Sequence, residues 1–326
     1  MVQASPPQVT PSFRIYLSST FADFAPERTA LQERVFPRLQ EFCRQHGARF
    51  DVVEMHWGVS EQAALDQQTV DICLEEIERC RRVSPGLHFI ALLGDRLGWR
   101  PPPARMPADE FDEILKRVSP DEAQLLREWY LRDENAVPPH YYLRPRTGDY
   151  VHADGWFPVE VQLRSVLENA VRDMPFEAVD RLKYEASWFE QEIHHGALVM
   201  PEENALFFVR TIEGLPEDES ASRYVDLDPG GRRDPMARQR LEALKERLRP
   251  LFPNGYREYN AKWLGNDPHD PTKPPITTDH IEDLCRDMHA ALRSIIEEEI
   301  GARPEEEAGR PDEEVPSQRK WPGRTS

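Results

Sequence analysis

Three hydroxyl-bearing residues directly follow a short apolar segment near the start of the chain. In FRIYLSSTFAD (13–23), apolar residues alternate with other residues over the first five positions, which is typical of a strand. Ser18, Ser19 and Thr20 come next, and Pro26 favours the first turn of a helix. Hydroxyls and free backbone N–H groups at a helix N-terminus suit a phosphate or another anion. The alternative is that these hydroxyls only turn the chain and cap the helix.

Similar residues follow two further apolar segments, at 50–55 and 87–93. Hydroxyls and arginine bind phosphate, aromatic rings stack on bases, and glycine lets the backbone approach a ligand closely. Ligands of open α/β sheets bind at the carboxyl ends of the strands, so we predict a nucleotide-sized site there. The predicted binding residues are Ser18, Ser19, Thr20 and Phe21 after the first strand, Trp57 and Gly58 after the second, and Gly94, Asp95, Arg96 and Trp99 after the third. The alternative is that Trp57 and Trp99 only close the core at the edge of the sheet.

A predicted helix at about 68–82 carries acidic residues that could act on a ligand at this site. At ~100° per residue, Glu75 points away from the buried face of this helix, whereas Glu76 and Glu78 lie on its flanks. A flanking glutamate can lean over the strand ends and act as a base, or stabilise an oxocarbenium-like centre. The alternative for each of these glutamates is a solvated helix face.

Alternating strands and helices predict the fold class α/β, with an open, mostly parallel and doubly wound sheet. After the strand that begins at Phe13, the predicted elements are a helix at 27–45, a strand at 50–55, a helix at 68–82 and a strand at 87–93. A later strand at 204–212 is predicted to complete the sheet, and a last helix covers about 278–300.

The region between the third and the last predicted strands has a different pattern. Four prolines lie within 100–107, which excludes regular structure there. Further on, the predicted elements are helices at 123–131, 159–172 and 177–195 and an extended piece at 137–145. We therefore predict one α/β domain over 13–300, with a helical insertion at about 100–203. The ends, 1–12 and 301–326, are predicted to be disordered because they lack any apolar period.

The composition describes a globular protein with a polar surface. The chain has 326 residues, of which 39% are hydrophobic, and a net charge of −18. This acidic balance argues against a nucleic-acid partner, although a local basic pocket is compatible with it. No run of eighteen apolar residues and no secretory signal is visible, so we predict no membrane partner and a cytoplasmic location. Four cysteines are predicted to be buried thiols, and no motif predicts a P-loop or a metal site.

Seven segments, in the same order along the chain, resemble the N-terminal domain of NACHT and WD-repeat proteins, which is also found in telomerase-associated protein. They cover roughly residues 13–300 and read FRIYLSSTFADFAPERTAL, VFPRLQEFC, VVEMHWGVSE, ICLEEIERC, FIALLGDRLGW, YLRDENAVPPHYYLRP and NALFFVRTIEGL. The NACHT nucleotide switch and the WD repeats themselves are missing from this chain. We expect either a stand-alone version of the domain or the front of a longer protein.

This resemblance implies a fold similar to Toll/interleukin-receptor-type domains, which are flavodoxin-like. Such domains serve as assembly modules or, in some members, cleave NAD at its nicotinamide bond. In that wider group the catalytic glutamate lies on a helix that faces the strand ends. Glu76, or failing it Glu75, is the position that could correspond in this chain.

Two functions therefore remain open. The first is an intracellular signalling or defence module, as in innate immunity, which acts through protein partners or self-association and has a strand-end pocket for NAD or another nucleotide. The second is an NAD(P)+ nucleosidase, in which Glu76 stabilises ribosyl charge, the hydroxyls of 18–20 hold phosphate, and Trp57 or Trp99 stacks on a ring. A structural adaptor with a degenerate pocket is a third, weaker alternative.

Overall fold

A five-stranded parallel sheet forms the centre of the computed structural model, which describes residues 10–55, 64–84, 86–200, 205–270 and 273–302. With strands numbered in chain order, the sheet contains β1 (Ser12–Ser19), β2 (Arg49–Val53), β3 (Phe89–Leu93), β7 (Ala205–Glu213) and β8 (Tyr256–Lys262). Their spatial order is β2-β1-β3-β7-β8, and each neighbouring pair is parallel. This is the flavodoxin-like order, with its switch point between β1 and β3, so the predicted fold class is confirmed. The predicted disordered ends fall largely on residues 1–9 and 303–326, which lie outside the described residues.

Helices cover both faces of the sheet, because alternate strand residues point to opposite sides. Ile15 and Leu17 of β1 join the core of one face, while Tyr16 joins the core of the other. The first face is covered by α1 (Ala25–Arg34), α2 (Phe36–Gln45) and α10 (His280–Gly301). The second is covered by α3 (Thr69–Val83), α8 (Trp188–Ile193) and α9 (Pro235–Leu251).

The segment between β3 and α8 packs around a core of its own, centred on residues such as Phe111, Trp129 and Leu167. Its elements are β4 (Arg105–Pro107), α4 (Ala108–Leu115), α5 (Pro120–Trp129), β5 (Tyr130–Asp133), β6 (His140–Leu143), α6 (Ala153–Val171) and α7 (Ala178–Glu185). The three strands form an antiparallel sheet in the order β4-β6-β5. The backbone N–H of Trp188 donates to the backbone carbonyl of Trp99 at 2.9 Å, so this insertion leaves the sheet and returns to it at one place.

Two predicted helices are each divided in the structure. The helix predicted at 27–45 breaks at Val35, where Pro37 in the first turn of α2 starts a new helix because proline lacks the N–H that would continue the old one. The helix predicted at 177–195 also divides, because Ser187 caps a new helix.

The prediction that the strand at 204–212 completes the sheet is wrong. That strand is β7, and β8 adds a fifth strand at the edge of the sheet. β8 shows a weak pattern because it is an edge strand that buries few residues, with Tyr256 in the core of one face of the sheet and Tyr259 in the core of the other. The proline-rich segment 100–107 also contains a short strand, β4, contrary to prediction. β4 is an edge strand, and edges are where sheets tolerate proline.

All four cysteines are buried and free, as predicted. Within the described ranges no helix combines the length and the apolar character needed to cross a bilayer.

A buried ion network joins β7 to the start of α1 and to α10. Arg210, only 1% exposed, places Nη1 at 2.5 Å from Glu27 Oε1 and Nη2 at 3.2 Å from Asp23 Oδ2. His280 Nε2 lies 2.8 Å from the same Glu27 oxygen, and the guanidinium lies 4.2 Å from the centre of the Phe24 ring. The network therefore holds three parts of the chain that are distant in sequence.

Replacing Arg210 by Met should lower the free energy of unfolding by about 3–5 kcal/mol, because two buried carboxylates lose their cation. The matched control is Arg286→Met, since the Arg286 side chain is 64% exposed and pairs with Asp283 at the surface. This control should cost about 1 kcal/mol or less. Urea unfolding followed by tryptophan fluorescence measures both, and equal losses would contradict a central role for Arg210.

Candidate functional site

Glu192 lies beside the carboxyl end of β1, on the helix that precedes β7. Its helix, α8, begins with a capping box in which Ser187 Oγ accepts a hydrogen bond from the Glu190 N–H at 3.1 Å. Trp188 and Phe189 lie one turn before Glu192 and are buried. Helical spacing therefore turns the Glu192 carboxylate towards the sheet rather than towards solvent.

Two hydroxyl groups of β1 hold the Glu192 carboxylate. Tyr16 OH donates to Oε1, and Ser18 Oγ donates to Oε2 at 2.5 Å. Burial raises the pKa of Glu192 to about 7, because these neutral donors offset only part of the cost of removing the charge from water. Both protonation forms are therefore populated near neutral pH, a property typical of groups that take part in catalysis.

An aromatic cavity of about 430 Å³ lies at the same strand ends. Its lining includes four rings, from Phe21, Trp99, Trp156 and Trp188, together with Arg146 and Glu160. The insertion supplies Arg146, Trp156 and Glu160, so the cavity lies between the insertion and the sheet. Its volume is within the range of cavities that bind small organic ligands.

A much smaller space of about 10 Å³ lies directly against Glu192 and Ser18. It has room for about one water molecule. Phe21, Met55 and Trp188 line both this space and the aromatic cavity, and the Phe21 and Trp188 rings are 4.8 Å apart. These side chains form the divide between the carboxylate and the aromatic cavity.

The insertion brings one charge of each sign to the aromatic cavity. Glu160 accepts a hydrogen bond from Trp99 Nε1 at 2.9 Å, and burial raises the pKa of its carboxyl. The Arg146 guanidinium lies 5.7 Å from the centre of the Trp156 ring, a cation–π distance. Stacking faces, a cation and a carboxylate are groups that can bind a heterocyclic ring with a phosphate. In the described part of the chain, no cluster of three or more His, Cys, Asp or Glu residues could hold a metal ion.

The hydroxyls predicted to bind a ligand make contacts within the protein. Ser18 and Ser19 belong to β1 rather than to a loop, and Ser18 is the donor to Glu192. Ser19 Oγ accepts a hydrogen bond from Arg28 at 3.1 Å, and Thr20 Oγ1 donates to Asp23 Oδ1 at 2.5 Å. These hydroxyls therefore organise the site and the connection into α1.

Gly94, predicted to let a ligand approach, instead makes room for the buried ion network. A Cβ at this position would lie 2.8 Å from Asp23 Oδ2 and 3.1 Å from Arg210 Nη2. Only glycine leaves that space free. Trp57 and Gly58, predicted after the second strand, lie outside the described residues.

Asp95 and Arg96 bind the loops that follow β7. Asp95 Oδ1 pairs with Arg233 Nη2 at 3.2 Å, and Arg96 Nε lies 3.4 Å from Asp226 Oδ1. Trp99, from the same strand end, lines the aromatic cavity. The structure therefore brings Phe21 and Trp99 of the predicted binding residues together at that cavity.

Two arginines hold Glu76. Its Oε1 lies 2.6 Å from Arg14 Nη2 and its Oε2 lies 3.0 Å from Arg79 Nη1. The neighbouring Glu75 is exposed on α3. The lining of the aromatic cavity includes neither glutamate. The catalytic role predicted for Glu76, or failing it Glu75, stays a prediction.

Sequence reasoning missed Glu192, although it placed a helix over that part of the chain. The available signal was the helical spacing of Trp188, Phe189 and Ile193, which puts Glu192 inside an apolar stripe. Acidic residues are rarely fully buried without a partner, so a glutamate in such a stripe indicates a special role.

Residues 14–121 match the family described as Domain of unknown function (DUF4062). The first third of the chain is therefore similar to this family. The match begins on β1 and ends at the start of α5, so Glu192 and the rings that the insertion supplies lie beyond it.

The chain is also similar to parts of larger proteins. The chain is 32% identical over 248 residues to mouse (Mus musculus) NACHT domain- and WD repeat-containing protein 1, covering 73% of this chain and 16% of that protein. It is 40% identical over 139 residues to human NACHT and WD repeat domain-containing protein 2, covering 42% and 8%. It is 30% identical over 96 residues to rat (Rattus norvegicus) telomerase protein component 1, covering 29% and 3%. The resemblance inferred from the seven segments is confirmed, and the chain spans only a small part of each of these relatives.

The raised pKa of Glu192 makes a prediction about stability. Because its pKa rises from the ordinary 4.5 to about 7 on folding, the folded state binds more protons than the unfolded state between these values. Glu192 therefore makes its whole contribution to the free energy of unfolding below pH 4.5, and this contribution is lost as the pH rises through 7. Glutamine does not titrate, so Glu192→Gln should gain up to about 3 kcal/mol relative to the native protein between about pH 5 and about pH 8. Denaturant unfolding at both pH values measures this difference, and parallel pH curves for the two proteins would refute it.

Proposed function

We propose that this protein is a signalling or defence module that binds NAD or a closely related nucleotide at the strand ends and cleaves its N-glycosidic bond. The observation that carries this proposal is Glu192, a buried carboxyl group with a pKa of about 7 beside the aromatic cavity. The similarity to NACHT and WD-repeat proteins supports a signalling or defence-related role.

In the proposed reaction, the bond between ribose C1′ and the pyridinium nitrogen breaks, and the bonding electron pair leaves with nicotinamide. The ribosyl group becomes oxocarbenium-like, and an ionised carboxylate next to C1′ stabilises that positive charge. Water then adds at C1′ and releases a proton to solvent, so no oxidant or reductant is required. Glu192 is the carboxylate in this scheme, and Tyr16 and Ser18 hold it in position.

The residues that line the aromatic cavity would bind the other parts of the nucleotide. Trp99 and Trp156 offer stacking faces for the ring, and Arg146 supplies the cation for phosphate in place of the serine and threonine hydroxyls. Phe21 lies on the divide between Glu192 and the aromatic cavity and is 38% exposed. Its ring is therefore the part of the divide that moves to admit the ribose.

The test compares nicotinamide release from NAD by the native protein, Glu192→Gln and Glu76→Gln, measured by chromatography of the products. Losing the ionised carboxylate at C1′ should lower kcat by about 100-fold or more in Glu192→Gln. Glu76→Gln should stay within about threefold of the native protein if Glu76 only pairs with Arg14 and Arg79. The two variants are matched in chemistry, since each exchanges a buried glutamate for glutamine on the same face of the sheet.

Each outcome assigns the role differently. A loss of activity in Glu76→Gln alone would establish the prediction made from sequence and remove Glu192 from the reaction. No nicotinamide release by the native protein, or equal release by all three proteins, would overturn the catalytic proposal.

The second candidate is a module that associates with proteins and has no catalytic activity. The sequence similarity to NACHT and WD-repeat proteins favours it. Protein partners or self-association would then carry the signal, in the cytoplasm, where free buried thiols persist. Measurement of the solution mass at high concentration tests self-association. We expect a mass above that of one chain. A strictly monomeric protein would contradict self-association, and with no protein partner found it would also contradict this candidate.

A further inference from the structure

A second cavity of about 240 Å³ adjoins the aromatic cavity. Three consecutive prolines, Pro101, Pro102 and Pro103, form part of its wall, and we call it the proline-walled cavity. Gln67 and Trp99 line both cavities, so the two spaces meet at these side chains. Together their volumes lie within the roughly 300–1,000 Å³ of typical ligand sites.

The proline-walled cavity is richer in cations than a chain with a net charge of −18 would suggest. Arg105 and Lys183 line it, against one carboxylate, Asp71. Such a concentration of basic groups in an acidic protein is a local feature that suits an anionic ligand.

The two strong cations of the proline-walled cavity make ion pairs that a ligand can replace. Arg105 Nε lies 3.4 Å from Asp71 Oδ2, and Lys183 Nζ lies 2.8 Å from Glu110 Oε1. The Arg105 side chain is 65% exposed, and ion pairs at such sites contribute little to stability. The Lys183 side chain is 30% exposed, so part of it is open to a ligand. A phosphate group can therefore take up charge-assisted hydrogen bonds from both cations.

Gln67, which lines both cavities, has a side-chain amide N–H group that makes no hydrogen bond to the described residues. Its Nε2 is buried and, among the described residues, has no hydrogen-bond partner. Its backbone φ of 60° lies in the left-handed region, which non-glycine residues rarely adopt. A buried donor without a partner costs free energy, and a strained backbone adds to that cost. A ligand that spans both cavities would accept a hydrogen bond from this amide.

From the adjoining cavities, the cations and the unpartnered amide, we propose that the proline-walled cavity is a second subsite that holds the phosphate-bearing, adenylate half of a dinucleotide. This inference rests on the proposed function, because it takes the nicotinamide mononucleotide half, with its phosphate at Arg146, to lie in the aromatic cavity. Arg105 and Lys183 bind the phosphate of the adenylate half, and Gln67 donates to the ligand where it passes between the cavities. The insertion therefore selects dinucleotides over mononucleotides.

The experiment measures kcat/KM for NAD and for nicotinamide mononucleotide with three proteins. These are the native protein, the double variant Arg105→Gln/Lys183→Gln, and the control Lys116→Gln/Arg117→Gln. The control removes the same charge from two cations of the insertion that pair with Glu113 and are 70% and 36% exposed.

We expect the native protein to prefer NAD at least tenfold. The double variant should lose about tenfold or more with NAD and less than threefold with the mononucleotide, because only NAD has a second phosphate that loses its charge-assisted hydrogen bonds. The control should change neither value. Equal rates for both substrates in the native protein, or equal losses for both in the double variant, would overturn the second subsite.

Binding of ADP-ribose, measured by calorimetry, decides the same point without turnover. If the native protein cleaves neither substrate, the proposed catalysis fails, while affinity for ADP-ribose that falls tenfold or more in the double variant still supports the subsite. Absent binding, or equal affinity in all three proteins, rules the subsite out.

Discussion

The interaction on which the structure depends most is the pairing of Arg210 with two carboxylates beside the carboxyl end of β3. These groups come from β7 and from the connection between β1 and α1, and His280 adds the start of α10. A buried guanidinium without its acids, or the acids without it, would be costly, so these segments must come together for the protein to fold. The network occupies the space beside Gly94 at the end of β3. The network therefore fills part of the strand-end region, and a ligand cannot occupy that part.

Two buried glutamates, on opposite faces of the same sheet, have pKa values that their neighbours shift in opposite directions. Burial alone would raise the pKa of both carboxyl groups. For Glu27, the nearby Arg210 and the contact with His280 outweigh burial and lower the pKa. For Glu192, the partners are the hydroxyls of Tyr16 and Ser18, and the pKa rises to about 7. Glu27 is thus held as a permanent anion, whereas Glu192 keeps a proton that it can exchange near neutral pH.

The central sheet could be predicted from sequence because β1, β3 and β7 carry strong apolar patterns, covered on both faces. β8 could not, since it lies at the edge and buries few residues. Of the residues predicted to bind a ligand, Phe21 and Trp99 line the aromatic cavity. They were proposed because ligands of such sheets bind at strand ends. Glu192 and Trp156 were not, because they follow long intervening segments, and their meeting depends on how the insertion packs.

The insertion completes a site that the sheet alone would leave open. It begins after Trp99 and ends at Trp188, and a hydrogen bond joins these two residues. Because its ends meet, the insertion can fold around its own core without displacing the strands that flank it. Both tryptophans line the aromatic cavity at this junction, with Arg146 and Glu160 of the insertion opposite the residues of the sheet. A ligand bound there contacts both parts at once, so its binding energy depends on how they are placed relative to each other. A shift of the insertion would change the cavity directly, and ligand binding would in turn favour one position of the insertion.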